Sequence, residues 1–350
     1  MTAVLGRGVR WQLLLLIVGL GLFGLLIYAA GPAGVFRTFQ HLGWLTPLVV
    51  LPYLTSYLLD TLGWWWVLSR CFVGSMDAPF PVPSFGRLFA LRAAGEAVNA
   101  ITPTAYFGGE PVKAWLLSRR GLPVPQGLAS VLVSKTALML TQGIFVLLGL
   151  LVALGRWQTA VPMWAAALLG SLLALLVAVV VIGVQRCGLF TLLLGLSRRL
   201  SGRESLLASW EAEVTVLDGL LRDFYGARPG AFLGCCGLHF LGWVAGSFEV
   251  FLALRLLNAR VDFSAAFSIE ALSSVAKLAA LFVPGSLGVQ EGGQVLIFVA
   301  FGLGAPLAMT FSLLRRGREL LWVGFGLLVL LHHHALQWMR TRKRDGDGGA

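Results

Sequence analysis

The sequence predicts an all-α polytopic membrane protein: about six transmembrane helices plus two re-entrant broken-helix pairs, arranged as an inverted repeat. Three observations lead there. Of 350 residues, 57% are hydrophobic and 12% charged, with a mean hydropathy of +0.83, which leaves too little polar surface for a soluble domain. Several apolar stretches reach the roughly 20 residues that a helix needs to cross about 30 Å of hydrocarbon. Two further apolar stretches are interrupted midway by Pro and Gly, and they match one another at a constant offset.

Full spans are read at 11–30, 45–68, 126–154, 161–184, 230–256 and 307–336. The first has Arg7 and Arg10 before it, like a secretory signal, but it is longer than a signal core. Gly31-Pro32 is also a poor cleavage site, so a retained span is expected. The segments 84–117 and 264–302 each read as two half-helices meeting at a turn. Such breaks survive at membrane depth only where protein or a watery cavity satisfies the freed backbone groups. The loop 186–227 contains an amphipathic helix, with Leu207, Trp210, Val214, Leu217, Leu221 and Phe224 on one face and Glu211, Asp218 and Arg222 off it. It is expected to lie in the inner interface, with partner docking as the alternative. One transmembrane domain over 1–340 and a disordered cytoplasmic tail over 341–350 complete the organisation.

Basic residues fix the expected orientation. With both termini cytoplasmic, most arginines and lysines fall inside, Arg87, Arg92, Lys113, Arg119 and Arg120 among them, and only Arg37, Arg156, Arg255 and Arg260 fall outside. The expected location is the inner membrane, as a multi-pass protein. The net charge of +11 therefore reflects cytoplasmic loops and anionic lipid, not a nucleic-acid partner. Cys71, Cys187, Cys235 and Cys236 form no C-x-x-C pair, so neither a disulfide framework nor a metal site is expected, and no cofactor. The tract at His332–His334 reads as a solvated helix end. Lone Asp60 and His239 read as buried, hydrogen-bonded groups. No Ser-His-Asp set, phosphate-binding loop or H-E-x-x-H motif is apparent, so no enzyme is expected.

Displaced by 181 positions, Pro103 falls on Pro284, Glu110 on Glu291, and Gly121, Leu122 and Pro125 on Gly302, Leu303 and Pro306. Lys135 then meets Arg316. Each unit, about 45–154 and 226–336, is a span, a broken pair and a span; the extra span at 161–184 inverts the second unit. Inverted repeats whose broken helices meet near the midplane are a transporter architecture.

Charges in hydrocarbon cost several kcal/mol apiece unless paired or facing water. Glu96, Lys113 and Lys135 lie in or beside the first unit, and Glu249, Glu270, Lys277, Glu291, Arg315, Arg316, Arg318 and Glu319 in the second. Glu96 and Lys277 are equivalent with opposite charge, and a pair between them near the symmetry axis is expected. Arg315, Arg316 and Arg318 have Glu319 and Glu291 as evident partners. They form a concentrated positive field suited to an anionic or phosphate-bearing group. Simple helix-to-helix pairing is the alternative for all of these charges. The turns at 103–110 and 284–291 free backbone N–H groups at half-helix starts, where Gly109 and Gly288 suit a headgroup oxygen, close packing being the other use of glycine there. Asn99 can satisfy carbonyls left open by Pro103.

Two stretches then resemble a known family. Gly95-Glu-Ala-Val-Asn-Ala-Ile-Thr-Pro103 followed by Gly108-Gly-Glu-Pro-Val-Lys113 resembles the first signature of the flippase-like family, also called the lysylphosphatidylglycerol synthase transmembrane region. Pro284-Gly-Ser-Leu-Gly-Val-Gln-Glu-Gly-Gly293 and Ser312-Leu-Leu-Arg-Arg-Gly-Arg-Glu-Leu320 resemble its second. The Val-Gln-Glu-Gly-Gly form is most similar to the hopanoid-associated branch. The resemblance covers nearly the whole chain and implies lipid translocation. It puts Asn99, Pro103, Gly109, Glu110, Lys113, Pro284, Gly288, Glu291, Arg316 and Glu319 on motif positions. The synthase domain of bifunctional members is not expected here, and Ser134-Lys135 replaces the Glu-Arg pair of many members. The implied partners are a membrane lipid substrate and, as a further candidate, enzymes of lipid synthesis. An integral-membrane transferase using Glu110 and Glu291 as acid and base, or a non-transporting accessory protein, are the alternatives.

Overall fold

The computed structural model describes residues 46–73, 82–102, 108–154, 179–201, 211–279 and 288–347, with isolated positions within 28–40 and 168–176. The expected span at 11–30, most of that at 161–184, and both turn prolines, Pro103 and Pro284, lie outside the described residues. Among the described residues all regular structure is helical. The helices are α1 (Thr46–Val67, continued by a π-helical turn, Leu68–Val73), α2 (Phe85–Ile101), α3 (Gly109–Ser118), α4 (Val124–Leu154), α5 (Leu189–Ser201), α6 (Glu211–Ala227), α7 (Pro229–Leu256), α8 (Phe263–Ala279), α9 (Val289–Ala300) and α10 (Ala305–Asp347). By length and composition α4 and α7 are candidate membrane spans. A helical pair, Val179–Cys187 and Leu189–Ser197, bent by 74°, is a third.

Both broken segments are present as half-helix pairs, α2 with α3 and α8 with α9. The shared Gly-Leu-x-x-Pro runs do the same work twice. Gly121 (φ 99°) and Gly302 (φ 73°) sit just past the ends of α3 and α9 in the left-handed region, which glycine enters without a Cβ penalty. Pro125 and Pro306 then sit in the first turns of α4 and α10, where a missing N–H costs no helical bond.

Packing crosses between the two units. Helix α2 packs on α10, α8 packs on α4, and α1 runs along α7. At the first two crossings the backbones nearly touch. A Cβ on Gly326 would fall 2.2 Å from the Ala93 carbonyl oxygen, and one on Gly149 2.2 Å from the Ala271 Cβ. Close approach through small residues is how helices gain contact in lipid, where burial of apolar surface gives no drive. Leu88, Leu91, Leu116 and Leu117 anchor one buried apolar cluster; Val250, Ile269, Phe298 and Phe311 anchor another.

Two expectations are corrected here. On α6, Leu217, Leu221 and Phe224 are buried and the helix packs on α4 and α5, so protein covers that part of the apolar face; Leu207 and Trp210 lie outside the described residues. Asp218, placed off that face by periodicity, is buried too. It accepts hydrogen bonds from the backbone N–H groups of Phe190 (3.2 Å) and Thr191 (2.7 Å) and from the Thr191 hydroxyl (2.6 Å), satisfying the open start of α5. The exposed apolar stripe belongs to α5, at Leu192, Leu193 and Leu196. The tail expected to be disordered from Thr341 continues α10 to Asp347.

Candidate functional site

The first unit's site begins where two half-helices cross. Helices α2 and α3 meet at Gly95 and Gly109, so tightly that a Cβ on Gly109 would lie 2.0 Å from the Gly95 carbonyl oxygen. The Gly109 N–H, one of the open donors at the start of α3, donates to Asn99 Oδ1 at 2.6 Å. Asn99 thus caps α3 with its oxygen, while its Nδ2 donates to Glu96 at 3.4 Å; the turn at Pro103 lies outside the described residues. Lys113 then bridges Glu96 (2.7 Å) and Glu110 (3.0 Å), and Lys135, on α4, stands 3.2 Å from the other Glu110 oxygen. Asn99, Glu96, Gly109, Glu110, Lys113 and Lys135 therefore form one constellation.

In the second unit Gly288 precedes α9 at φ 76°, a conformation that favours glycine, and its N–H donates to Glu291 Oε2 at 2.7 Å. The other Glu291 oxygen accepts from Arg316 Nε at 2.6 Å, and Arg316 reaches Glu319 at 3.0 Å. Lys277 stands 3.4 Å from Glu319. Glu110–Lys135 and Glu291–Arg316 are thus the same acid–base pair, displaced by the 181-residue offset from a half-helix start to the following helix.

The expected Glu96–Lys277 pair does not form. Each reaches a nearer partner within its own unit, Lys113 and Glu319 respectively. The concentrated positive field is also corrected. Arg315 pairs with Glu270 and Arg318 with Glu249, so the three arginines and Lys277 are matched by Glu249, Glu270, Glu291 and Glu319. Glu319 is on α10 itself, one turn from Arg316, whereas Glu249, Glu270 and Glu291 come from α7, α8 and α9, and periodicity within α10 shows none of those three. Arg92 and Lys113, counted with the cytoplasmic charges, are buried in the bundle.

Reading by residue pattern missed a third group. Arg92 donates to Asp60 (2.9 Å), His239 Nδ1 lies 2.7 Å from the other Asp60 oxygen, and His239 Nε2 lies 3.1 Å from Ser134 Oγ. Asp60 and His239 are buried and bonded as expected. The Ser-His-Asp set that no motif announced nevertheless exists, assembled from α4, α7 and α1 across 179 positions of sequence. Only the lone charges inside apolar helices hinted at it.

A half-open cleft with a cavity volume of about 30 Å³ is lined by Trp64, Glu96, Glu110, Lys113, Lys135 and His239, among others. That is room for about one or two waters, so a headgroup enters only by displacing side chains that line it. Of the expected binding residues, the cleft gathers Glu110, Lys113 and Lys135; Gly288, Glu291, Arg315, Arg316 and Glu319 do not line it. His239 of α7, in the second unit, stands in the cleft among side chains of the first; the turns 103–107 and 280–287 lie outside the described residues. Aromatic rings touch both sets. Arg92 lies over Tyr57 (4.3 Å), Arg318 over Tyr53 (3.8 Å), and Tyr57 stacks on Trp322 at 4.5 Å. Gln290 Oε1 and Gln294 Nε2, buried near the second set, have no hydrogen-bond partner among the described residues.

Apolar candidate spans, half-helix pairs and a buried, charge-matched polar site define an integral membrane protein whose polar chemistry lies within a helical bundle. The chain belongs to the family described as the lysylphosphatidylglycerol synthase TM region, whose model matches residues 11–327. No curated protein matches it, and no solved structure does.

Proposed function

We propose that this protein moves a lipid with a polar or anionic headgroup, a phospholipid or a hopanoid-type lipid, between the leaflets of the inner membrane, and that it is not an enzyme. The observation that carries the reading is the duplicated pair, Glu110–Lys135 and Glu291–Arg316, each set at the start of a half-helix. Breaking a buried ion pair by removing one partner costs about 3–5 kcal/mol. A headgroup phosphate takes the place of a carboxylate on Lys135 or Arg316, so a lipid enters by exchange of partners, the displaced Glu110 keeping Lys113 and the displaced Glu291 the Gly288 N–H. The two sites then serve the two sides in turn, the units being inverted copies related by the 181-residue offset. In this conformation the first set lines a cleft and the second is closed by its own pairs, which fits a state open to one side. The family's membrane and lipid character supports the same reading.

The transferase alternative needs Glu110 and Glu291 as acid and base. Both carboxylates are engaged by cations within the fold, at 3.0 Å and 2.6 Å, and no nucleotide-phosphate motif accompanies them. Reconstitution into liposomes carrying headgroup-labelled phosphatidylglycerol tests the proposal. Quenching of inner-leaflet label by an impermeant reductant is expected to rise well above protein-free liposomes. Quenching confined to the outer leaflet, for phosphatidylglycerol and for a hopanoid-type lipid alike, overturns it.

The orientation that goes with this function has both termini in the cytoplasm. Cysteines introduced at Gly155 and Arg342 in a chain cleared of native cysteines are expected to react with impermeant maleimide from opposite faces, the first from outside. Labelling of both from one face removes the topology.

A further inference from the structure

The lipid reading leaves one polar group unused. His239 is 2% exposed, sits between three helices and lines the cleft. Its Nδ1 faces Asp60 Oδ1 at 2.7 Å. An ionised carboxylate only accepts hydrogen bonds, so Nδ1 carries the proton and Nε2 presents a lone pair, to which the Ser134 hydroxyl donates at 3.1 Å. The Asp60 oxygen not used by His239 is taken by Arg92. The ring is fixed from below as well: a Cβ on Gly63 would lie 3.1 Å from Nε2, and one on Gly242 3.0 Å from Asp60 Oδ1. A basic nitrogen is thereby held in one orientation at the wall of a polar cleft.

Two chemistries use such an arrangement. Acyl transfer at Ser134 needs backbone donors beside the nucleophile for the oxyanion. Ser134 lies in the interior of α4, where N–H groups are committed to the helix, so that chemistry lacks its second half. Proton binding needs only the base and a place for the charge. The charged groups around the ring are Asp60 from α1, Arg92 and Glu96 from α2, Glu110 and Lys113 from α3, and Lys135 from α4. On α7 itself Cys235 and Cys236 lie one turn back, and Glu270 of α8 packs against Gly246 two turns on. Arg92, Lys113 and Lys135 balance Asp60, Glu96 and Glu110, so one added proton leaves the cleft with a single positive charge.

We propose that His239 Nε2 is a proton-binding site, and that its proton travels with an anionic headgroup occupying the cleft; the second half of this rests on the lipid-transport reading above. Protonation turns the hydroxyl of Ser134 from donor to acceptor, its own hydrogen swings toward the cleft, and the imidazolium is held by Asp60. The added charge then matches the phosphate. Binding of either partner favours the other by the same factor, since linkage is reciprocal.

Two measurements test this. In proteoliposomes with labelled phosphatidylglycerol, an imposed pH gradient, acid on the side of entry, is expected to speed wild-type flipping about tenfold. His239→Gln is expected to flip at one rate with or without the gradient. Equal wild-type rates in both conditions overturn proton coupling and leave lipid transport standing. Absence of any wild-type flipping overturns lipid transport, and the site is then judged by the second measurement. In histidine-labelled protein in nanodiscs, the resonance missing from His239→Gln is expected to report protonation at Nε2 on acidification. It is expected to titrate at higher pH when phosphatidylglycerol replaces a neutral lipid. A resonance that does not titrate overturns the proton site.

Discussion

Glu291→Gln is expected to end lipid translocation while the protein remains folded in the membrane. The amide oxygen of the replacement still accepts the Gly288 N–H that Glu291 takes at 2.7 Å, so the start of α9 keeps its cap. What is lost is the charge opposite Arg316, whose Nε stands 2.6 Å from a carboxylate that is 1% exposed. Arg316 retains Glu319 at 3.0 Å, so the bundle keeps one partner for it, but the exchangeable pair is gone. About 3 kcal/mol of lost stabilisation along the transport path corresponds to roughly a hundredfold in rate. Arg316→Ala removes the other half of the pair and is expected to be as damaging. Flipping assays on equal amounts of detergent-stable protein make the comparison. Transport at wild-type rate in both variants would mean that the pair only joins α9 to α10. Loss of folded protein without a separable transport defect would mean the same.

Gly109→Ala is expected to have the largest effect on stability. Its Cβ would fall 2.0 Å from one backbone atom of Gly95 and 2.7 Å from another, and backbone cannot move aside as a flexible side chain does. The half-helices must part, which also pulls the Gly109 N–H from Asn99 and Lys113 from Glu96. Overpacking of this kind costs about 1–3 kcal/mol, and the buried ion pair adds to it. Gly237→Ala supplies the control, since nothing lies within 4 Å of its Cβ position on α7. There the replacement is expected to be neutral or to gain up to about 1 kcal/mol of helix propensity. Thermal unfolding followed by fluorescence-detected size exclusion should separate the two by several degrees. A Gly109→Ala protein as stable as wild type would show that the α2–α3 crossing relaxes freely. The same crossing recurs in the second unit, where Gly293 meets Ala276, the equivalent of Gly95, at 2.5 Å. Glycine at these positions therefore has a packing reason that is independent of any headgroup oxygen.

Much of the fold could be read from residues alone because its determinants are local. Apolar runs long enough to span, Pro-Gly interruptions and Gly-Leu-x-x-Pro punctuation set where α2, α3, α8 and α9 begin and end, and each acts over a few residues. The repeat was legible for the same reason, since a constant offset compares residue types and needs no geometry. Thus Glu291 was expected beside Arg316, and it is; the offset carries the same pairing to Glu110 and Lys135. What only the tertiary structure decided is which charge answers which. Asp60, Arg92, His239 and Ser134 belong to four helices, and Arg315 and Arg318 find Glu270 on α8 and Glu249 on α7. Glu96 and Lys277 have opposite charges at equivalent positions, yet Lys113 and Glu319 lie nearer. The physical reason is that Coulomb attraction and hydrogen bonding act over a few ångströms in space, whereas a sequence orders residues along the chain. Periodicity places a charge on a face of its own helix; only the packing of α1, α2, α4, α7, α8 and α10 places another charge against that face.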